Sequence, residues 1–191
     1  ITDNFKETID KYGSEAVQPY SYSGTMGMVG YWTMDSRFWN KMEAARLEQS
    51  ICIYAAMWAG LHTYGMAHAN TSIHEAAQEA DYIILWGANL VSTGVHAIPF
   101  IREAKERGAK LVVIDPRRTR TTMMSDWHIQ PKPGTDAALA LGMMKVIVDK
   151  GMHDLDFLQE QTVGWEALLE TKLPDYPLDK VAQITGVPAA D

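Results

Sequence analysis

Two short runs of consecutive apolar residues, separated by a segment with helical periodicity, dominate the hydrophobic pattern of the chain. The runs are residues 82–86 and 111–114. Between them, apolar residues of segment 95–107 recur every three or four positions and Gly108 follows, which is typical of an amphipathic helix that ends at a glycine. Continuous apolar runs are typical of parallel strands that helices cover on both faces. The pattern therefore predicts a βαβ unit with a right-handed crossover and two parallel strands.

Similar patterns predict the elements around this unit. Periodic segments predict helices at residues 5–12, 36–48, 55–61, 72–80, 136–150, 154–161, 165–169 and 178–184. Aromatic and apolar clusters predict short strands at 16–22, 50–54 and 127–130, the first leading into a glycine-containing loop at 23–27. Asp35 is an expected N-cap, and Ser72 with Glu75 forms a capping-box pattern. With no internal repeat, we expect residues 1–191 to form one α/β domain, a Rossmann-like three-layer fold with a parallel sheet and a helical C-terminal tail.

Composition and charge narrow the class of protein. The 191 residues are 47% hydrophobic and 21% charged, which is ordinary for a soluble globular domain. The formal net charge of −7 argues against non-specific nucleic-acid binding, which needs a basic face. Apolar runs are shorter than a membrane helix, and no signal-peptide pattern is present. The chain begins at Ile1 without a methionine, so we expect a piece of a longer protein, and its compartment stays undecided.

Small and polar residues follow the first strand of the βαβ unit, where open parallel sheets bind ligands. Gly87 permits close approach of a ligand to the backbone, and Ala88 adds little bulk. Asn89 offers both a donor and an acceptor to a phosphate or a ribose. A tight turn that needs glycine and asparagine only for their backbone angles is an equally good interpretation.

A carboxylate and two arginines follow the second strand. Asp115 stands where dinucleotide-binding folds place an acid that accepts hydrogen bonds from ribose hydroxyls. It could instead simply turn the chain with Pro116. Arg117 and Arg118 can offset pyrophosphate charge or stack on a purine, although either alone would usually be a solvated cation. Neither a GxGxxG motif nor a Walker lysine loop is present, which disfavours an ordinary NAD or ATP site.

A third group of residues precedes the long helix at 136–150. Thr135 or Asp136 could serve only to cap this helix. Alternatively, the two oxygens of Asp136 match the imino and amino donors of a guanine. Since three strand ends are expected at one edge of the sheet, the second interpretation is preferred, and the sequence predicts a guanine-nucleotide pocket.

At these residues the chain resembles the molybdopterin oxidoreductase family. This group carries the bis(molybdopterin guanine dinucleotide) cofactor and contains dimethyl sulfoxide and trimethylamine N-oxide reductases and formate dehydrogenases. The resemblance is carried by ADYIILWGAN at 80–89, IREAKERGAKLVVIDPRRT at 101–119 and KPGTDAALAL at 132–141. It continues at 154–158 and 184–188 and weakens before residue 72.

The resemblance implies a pocket for one guanine dinucleotide arm, lined by Gly87, Ala88, Asn89, Asp115, Arg117, Gly134 and Asp136. Family members place a serine, cysteine, selenocysteine or aspartate on the metal in the region corresponding to residues 51–60. Cys52, the single cysteine, is therefore the candidate metal ligand and catalytic residue. A buried structural cysteine is the alternative.

The resemblance also implies a function for the whole enzyme. We expect a cofactor-binding domain of a molybdenum or tungsten oxidoreductase of the kind used in anaerobic respiration, which transfers oxygen atoms or electrons to or from a small-molecule substrate. The remaining domains of the same chain and electron-transfer subunits are the expected partners, and an iron–sulfur cluster would lie outside this chain. The isolated chain is expected to be inactive. The alternative is a stand-alone nucleotide-binding or regulatory α/β module without redox activity.

Overall fold

The computed structural model describes residues 1–21, 29, 33–48, 50–51, 53–66 and 72–190. The chain forms two compact units, Ile1–Asn70 and Thr71–Asp191.

The first unit contains three α-helices and no extensive core among its described residues. The helices are α1 at Thr2–Tyr12, α2 at Met34–Lys41 and α3 at Tyr54–Tyr64, with a 3₁₀ turn at Ser14–Ala16. Within the described part of this unit, Val17 is the buried hydrophobic residue. Trp58 and Leu61 of α3 are about half exposed. The described residues therefore leave apolar surface of α3 open to solvent.

Two strand predictions for the first unit are wrong. Residues 16–21 contain the end of the 3₁₀ turn and then irregular chain, and Val17 O accepts a backbone hydrogen bond from Ala45 N at 3.0 Å. The described residues of 50–54 are also not a strand, because Tyr54 already begins α3. Apolar composition alone cannot make a strand without a partner to complete its hydrogen bonds. Tyr22 and the predicted loop at 23–27 lie outside the described residues.

The helix predicted at 36–48 has different ends in the structure. It begins at Met34 with Thr33 as its N-cap, not Asp35, and it ends at Lys41. Glu43 follows with a φ of 56°, a left-handed conformation that a right-handed helix cannot contain. Residues 44–48 are consequently irregular.

The second unit is built on a three-stranded sheet in the order β1-β2-β3. Its strands are β1 at Tyr82–Trp86, β2 at Lys110–Ile114 and β3 at Trp127–Ile129. Both neighbouring pairs are parallel, with Ile84 opposite Val112 and Val113 opposite His128. The predicted βαβ unit and the parallel orientation of its strands are confirmed.

Helices precede, connect and follow these strands. They are α4 at Ile73–Glu79, α5 at Leu90–Thr93, α6 at Ile98–Arg107, α7 at Asp136–Asp149, α8 at Leu155–Gln161, α9 at Trp165–Thr171 and α10 at Leu178–Thr185. The predicted N-cap at Ser72 is confirmed, because Ser72 Oγ accepts a hydrogen bond from Glu75 N at 3.3 Å, which is one of the two bonds of a capping box. The helix predicted at 95–107 divides into a 3₁₀ turn at Val95–Ala97 and α6. Pro99 lies in the first turn of α6, where its missing N–H costs nothing.

Helices pack against both faces of the sheet. Alternate residues of a strand point to opposite faces, and β2 is buried from Leu111 to Ile114. One face packs against α6 in a cluster that contains Ile98, Ile101, Leu111 and Val113. The other face contains Val112, Ile114, Leu139 of α7 and Val187. The α/β fold with a parallel sheet and a helical tail is therefore confirmed. Among the described residues, no helix combines the length and apolar character needed to cross a membrane.

Asp126 connects three elements at the start of β3. Its Oδ2 accepts a hydrogen bond from Leu111 N at 2.8 Å, and Lys105 Nζ of α6 lies 3.0 Å from its Oδ1. The N–H of Leu111 and then the ammonium of Lys105 hold the pKa of the Asp126 carboxyl below its ordinary value. The ionised carboxylate thus helps to hold β2, β3 and α6 together.

This lowered pKa predicts a loss of stability in acid. A carboxylate with a lower pKa in the folded chain stabilises it above the unfolded-state pKa, and this contribution is lost as pH falls through the folded-state pKa. We expect Asp126→Asn to lower the free energy of unfolding near about pH 7 and to flatten its decline below about pH 4. Urea unfolding across this range measures both effects. Asp156→Asn, on exposed α8, is the control. An unchanged pH dependence in Asp126→Asn would show that this carboxylate does not couple folding to protonation.

Candidate functional site

Parallel strands end at the same edge of a sheet, and three loops meet at this edge of the second unit. Gly87 N, after β1, donates a hydrogen bond to Ile114 O at 2.8 Å, and Asp115 N, after β2, donates to Ile129 O at 3.1 Å. We call residues 87–89, 115–122 and 130–136 the strand-end rim. All seven predicted cofactor-binding residues lie on this rim, and the last of them, Asp136, also begins the following helix.

The loop after β1 combines a required glycine with an oriented asparagine. Gly87 has a φ of +64°, a conformation that residues with a side chain rarely adopt, and its backbone borders open space. Asn89 Oδ1 accepts a hydrogen bond from Thr121 Oγ1 at 2.8 Å, and its Nδ2 donates to Ser92 Oγ at 3.3 Å. The loop is therefore a tight turn, as one of the two interpretations predicted. The backbone of Gly87 is also open to solvent. Ala88, between them, is half-buried.

Thr121 was not identified from the sequence. Its side chain is 1% exposed, and its hydroxyl both donates to Asn89 and accepts from Val91 N at 3.1 Å. The residue lies 32 positions after Asn89, so no local spacing rule connects the two. A buried threonine that joins two loops becomes visible only once the sheet has brought them together.

Asp115 lies at the end of β2 and is 8% exposed. Its Oδ1 accepts a hydrogen bond from Arg117 N at 2.7 Å, and its backbone oxygen accepts one from His128 Nε2 at 2.9 Å. The Asp115 side chain therefore stabilises the turn with Pro116, which was the alternative to a ribose-binding role. This turn uses one of the two carboxylate oxygens and fixes the orientation of the group at the rim.

Asp136 is the first residue of α7, and its carboxylate is exposed. Its Oδ1 accepts a hydrogen bond from Trp86 Nε1, the last residue of β1, at 2.7 Å. Neither candidate cap makes a side-chain capping bond, and Thr135 Oγ1 instead donates to Lys132 O at 2.6 Å. Thr135 therefore stands at the N-cap position of α7 without a side-chain capping bond, and Asp136 does not cap the helix. Asp136 stands where the helix dipole stabilises a negative charge, and the indole fixes one of its oxygens.

Cations line the rim of this acidic chain. Arg117, Arg118 and Arg120 are exposed in the loop after β2. Ion pairs among the described residues involve other cations, namely Lys105, Arg107 and Lys145. Arg117, Arg118 and Arg120 are thus available to a phosphate group. Gly134, in the loop after β3, is exposed and has a φ of +81°. Cys52, the candidate metal ligand, lies outside the described residues.

Comparison with known proteins identifies one family. A family model described as "Molybdopterin oxidoreductase" matches residues 1–183. "Probable oxidoreductase YoaE" of Bacillus subtilis (strain 168) is 40% identical over 191 residues, which are 100% of this chain and 28% of that protein. "Acetylene hydratase" of Syntrophotalea acetylenica is 34% identical over 192 residues, covering 100% of this chain and 26% of that protein. The chain thus spans about a quarter of the length of these curated relatives.

Further similarities extend to a reductase and to a solved structure. "Assimilatory nitrate reductase catalytic subunit" of Bacillus subtilis (strain 168) is 37% identical over 141 residues, which are 74% of this chain and 20% of that protein. The solved structure titled "Acetylene Hydratase from Pelobacter acetylenicus" matches with a TM-score of 0.72 and 31% identity, covering 98% of this chain and 25% of that one.

Proposed function

This chain belongs to the molybdopterin oxidoreductase family, and we propose that it binds the guanine dinucleotide part of bis(molybdopterin guanine dinucleotide) in a molybdenum or tungsten oxidoreductase. The observation that carries the proposal is the convergence of an open glycine turn, a fixed carboxylate and a second carboxylate at one edge of the sheet. Residues 1–191 would act as one cofactor-binding region of a larger enzyme. Names of relatives, which include nitrate reductase and formate dehydrogenase subunits, support an oxidoreductase.

Asp136 is the proposed guanine-recognition residue. A carboxylate accepts hydrogen bonds from the imino N–H and the amino group of guanine, whereas adenine does not present this pair of donors. The exposed carboxylate is already oriented by Trp86 Nε1 at 2.7 Å, so less freedom is lost when a base binds. The pair of acceptor oxygens at this position therefore fits the imino and amino donors of guanine.

The other rim residues fit the ribose and the pyrophosphate. Asp115 is the proposed acceptor for ribose hydroxyls. Arg117 is the proposed partner of the pyrophosphate, because its exposed guanidinium can pair with phosphate oxygens. Close approach of the nucleotide to the backbone would involve Gly87, Ala88, Asn89 and Gly134. Cys52 remains the proposed protein ligand of the metal.

In this proposal the chain and the cofactor have separate tasks. The metal and pterin supply the redox chemistry when bound, and the rim residues bind and orient the nucleotide. The small-molecule substrate, further domains, electron-transfer subunits and an iron–sulfur cluster belong to the proposal for the complete enzyme. The proposed overall reaction is oxygen-atom or electron transfer.

Calorimetric titration of the chain with GDP and ADP tests the base-recognition step. We expect GDP to bind about 10- to 100-fold more tightly, since two hydrogen bonds to a charged carboxylate are at stake. IDP, which lacks the amino group of guanine, should fall between the two. Equal affinities for GDP and ADP, or no binding of either, would contradict the assignment of Asp136.

Trp86→Phe should separate orientation of Asp136 from packing. Phenylalanine retains an aromatic ring in the apolar cluster beside Ile114 and Leu139 but removes the N–H that Asp136 accepts. We expect GDP affinity to fall by roughly 2- to 10-fold, the effect of one hydrogen bond, with little change in ADP affinity. Trp127→Phe, at an exposed indole on β3, is the control. If both variants bind GDP like the unmodified chain, the indole does not orient the carboxylate.

A further inference from the structure

We propose that Thr121 is a positioning residue for the pyrophosphate part of the nucleotide, because its buried hydroxyl holds the Asn89 loop at a fixed place relative to the arginine loop. This inference rests on the proposed function of the rim. Neither the family resemblance nor the position of Thr121 in the sequence had assigned it a role.

The hydroxyl of Thr121 has both of its hydrogen-bonding functions engaged, one with the loop after β1 and one with the start of α5. It donates to Asn89 Oδ1 at 2.8 Å and accepts from Val91 N at 3.1 Å. The side chain is 1% exposed, so water cannot readily replace either partner. The position of Asn89 and the start of the segment after it therefore depend on one side chain from another loop.

Thr121 itself stands on a firmly bonded turn. Thr119 N donates to Thr122 Oγ1 at 2.9 Å, and Thr122 Oγ1 donates to Thr119 O at 2.8 Å. Thr122 is also buried, at 6% exposure. This turn directly continues the loop that carries Arg117 and Arg118. The hydroxyl of Thr121 thus links the backbone proposed to approach the phosphates with the cations proposed to neutralise them.

The chemistry of this link distinguishes three side chains. Serine can make the same two hydrogen bonds. Valine has the shape of threonine but no hydroxyl, so it would leave Asn89 Oδ1 and Val91 N without this partner in a partly buried place. The loop after β1 would then relax toward solvent. This movement should weaken the contacts with the pyrophosphate. Asp136, held by Trp86, should keep its contacts with the base.

Titration of the full chain and of Thr121→Val and Thr121→Ser with GDP and with guanosine tests the proposal. At a temperature where thermal unfolding shows every variant to be folded, we expect Thr121→Val to bind GDP about 10-fold more weakly and guanosine within about 2-fold of the unmodified chain. Thr121→Ser should bind both like the unmodified chain. Unchanged GDP affinity in Thr121→Val, or an equal loss for GDP and guanosine, would overturn the positioning role.

Amide hydrogen exchange keeps this test separate from the proposed function. If the unmodified chain binds neither GDP nor guanosine, the proposed nucleotide function fails, but the link between the loops can still be measured. In the free protein, the amide of Val91 should exchange at least about 10-fold faster in Thr121→Val and stay protected in Thr121→Ser. Equal protection of Val91 in the two variants would overturn the inference that this hydroxyl positions the loop.

Discussion

Replacing Asp136 by alanine is expected to weaken GDP binding by about 10- to 100-fold, because the base loses its acceptors for two donors. The carboxylate is exposed and makes no capping bond to α7, so the fold should change little. Removal also leaves Trp86 Nε1 without its acceptor, but this indole is only partly buried and can bond to water. Calorimetric titration with GDP and ADP measures the loss.

Two further variants separate base recognition from net charge. Asp136→Asn keeps one acceptor oxygen but replaces the other with an amino group, so it should also lose preference for GDP over ADP. Asp156→Ala removes the same charge from the first turn of α8 and should bind GDP like the unmodified chain. The assignment of guanine to Asp136 is wrong if Asp136→Ala and Asp156→Ala have the same effect, or if Asp136→Ala weakens ADP and GDP binding equally.

Ile101→Ala should be the most destabilising single truncation in the helix that crosses between β1 and β2. Ile101 is 1% exposed and packs with Leu111 and Val113. Truncating a fully buried isoleucine to alanine lowers the free energy of unfolding by about 2–5 kcal/mol, because buried apolar groups are lost and a cavity remains. Urea unfolding measures the loss of stability, and hydrogen exchange of the Val113 amide reports on the second unit in particular.

Ile147→Ala is the matched control for this truncation. Ile147 lies on α7 and is 43% exposed, so its replacement leaves less of a cavity and should cost well under about 2 kcal/mol. Equal losses for the two variants would mean that the cluster formed by α6 and β2 is not the stabilising core of the sheet.

Local patterns in the sequence were sufficient to predict the framework of the second unit. Consecutive apolar residues indicated β1 and β2, and the helical crossover between them favoured a parallel pair, as the structure has them. Ser72 and Glu75 indicated the start of α4. These features depend on neighbours a few positions away or on the topology of one connection. The strand-end residues followed from the same topology, which explains why all seven predicted cofactor-binding residues share the rim.

Interactions between distant residues could not be predicted. Trp86 and Asp136 are 50 positions apart, and Asn89 and Thr121 are 32 apart, so neither pair leaves a periodic signal. Asp136 does not cap α7, because Thr135 occupies the N-cap position, and the Asp136 carboxylate accepts a hydrogen bond from the distant Trp86. In the first unit, apolar segments suggested strands at 16–22 and 50–54, although strand formation depends on a partner that composition does not specify. The helix predicted at 36–48 ended early because Glu43 adopts a left-handed conformation.

The most direct test of the central claim is the metal and nucleotide content of the full-length protein that contains this chain. The purified protein should hold molybdenum or tungsten and release guanine nucleotide when its cofactor is hydrolysed. A variant with both Asp115→Ala and Asp136→Ala should lose both, while circular dichroism shows that it remains folded. Normal metal and guanine content in that variant would contradict the assignment of the strand-end rim as the guanine dinucleotide site.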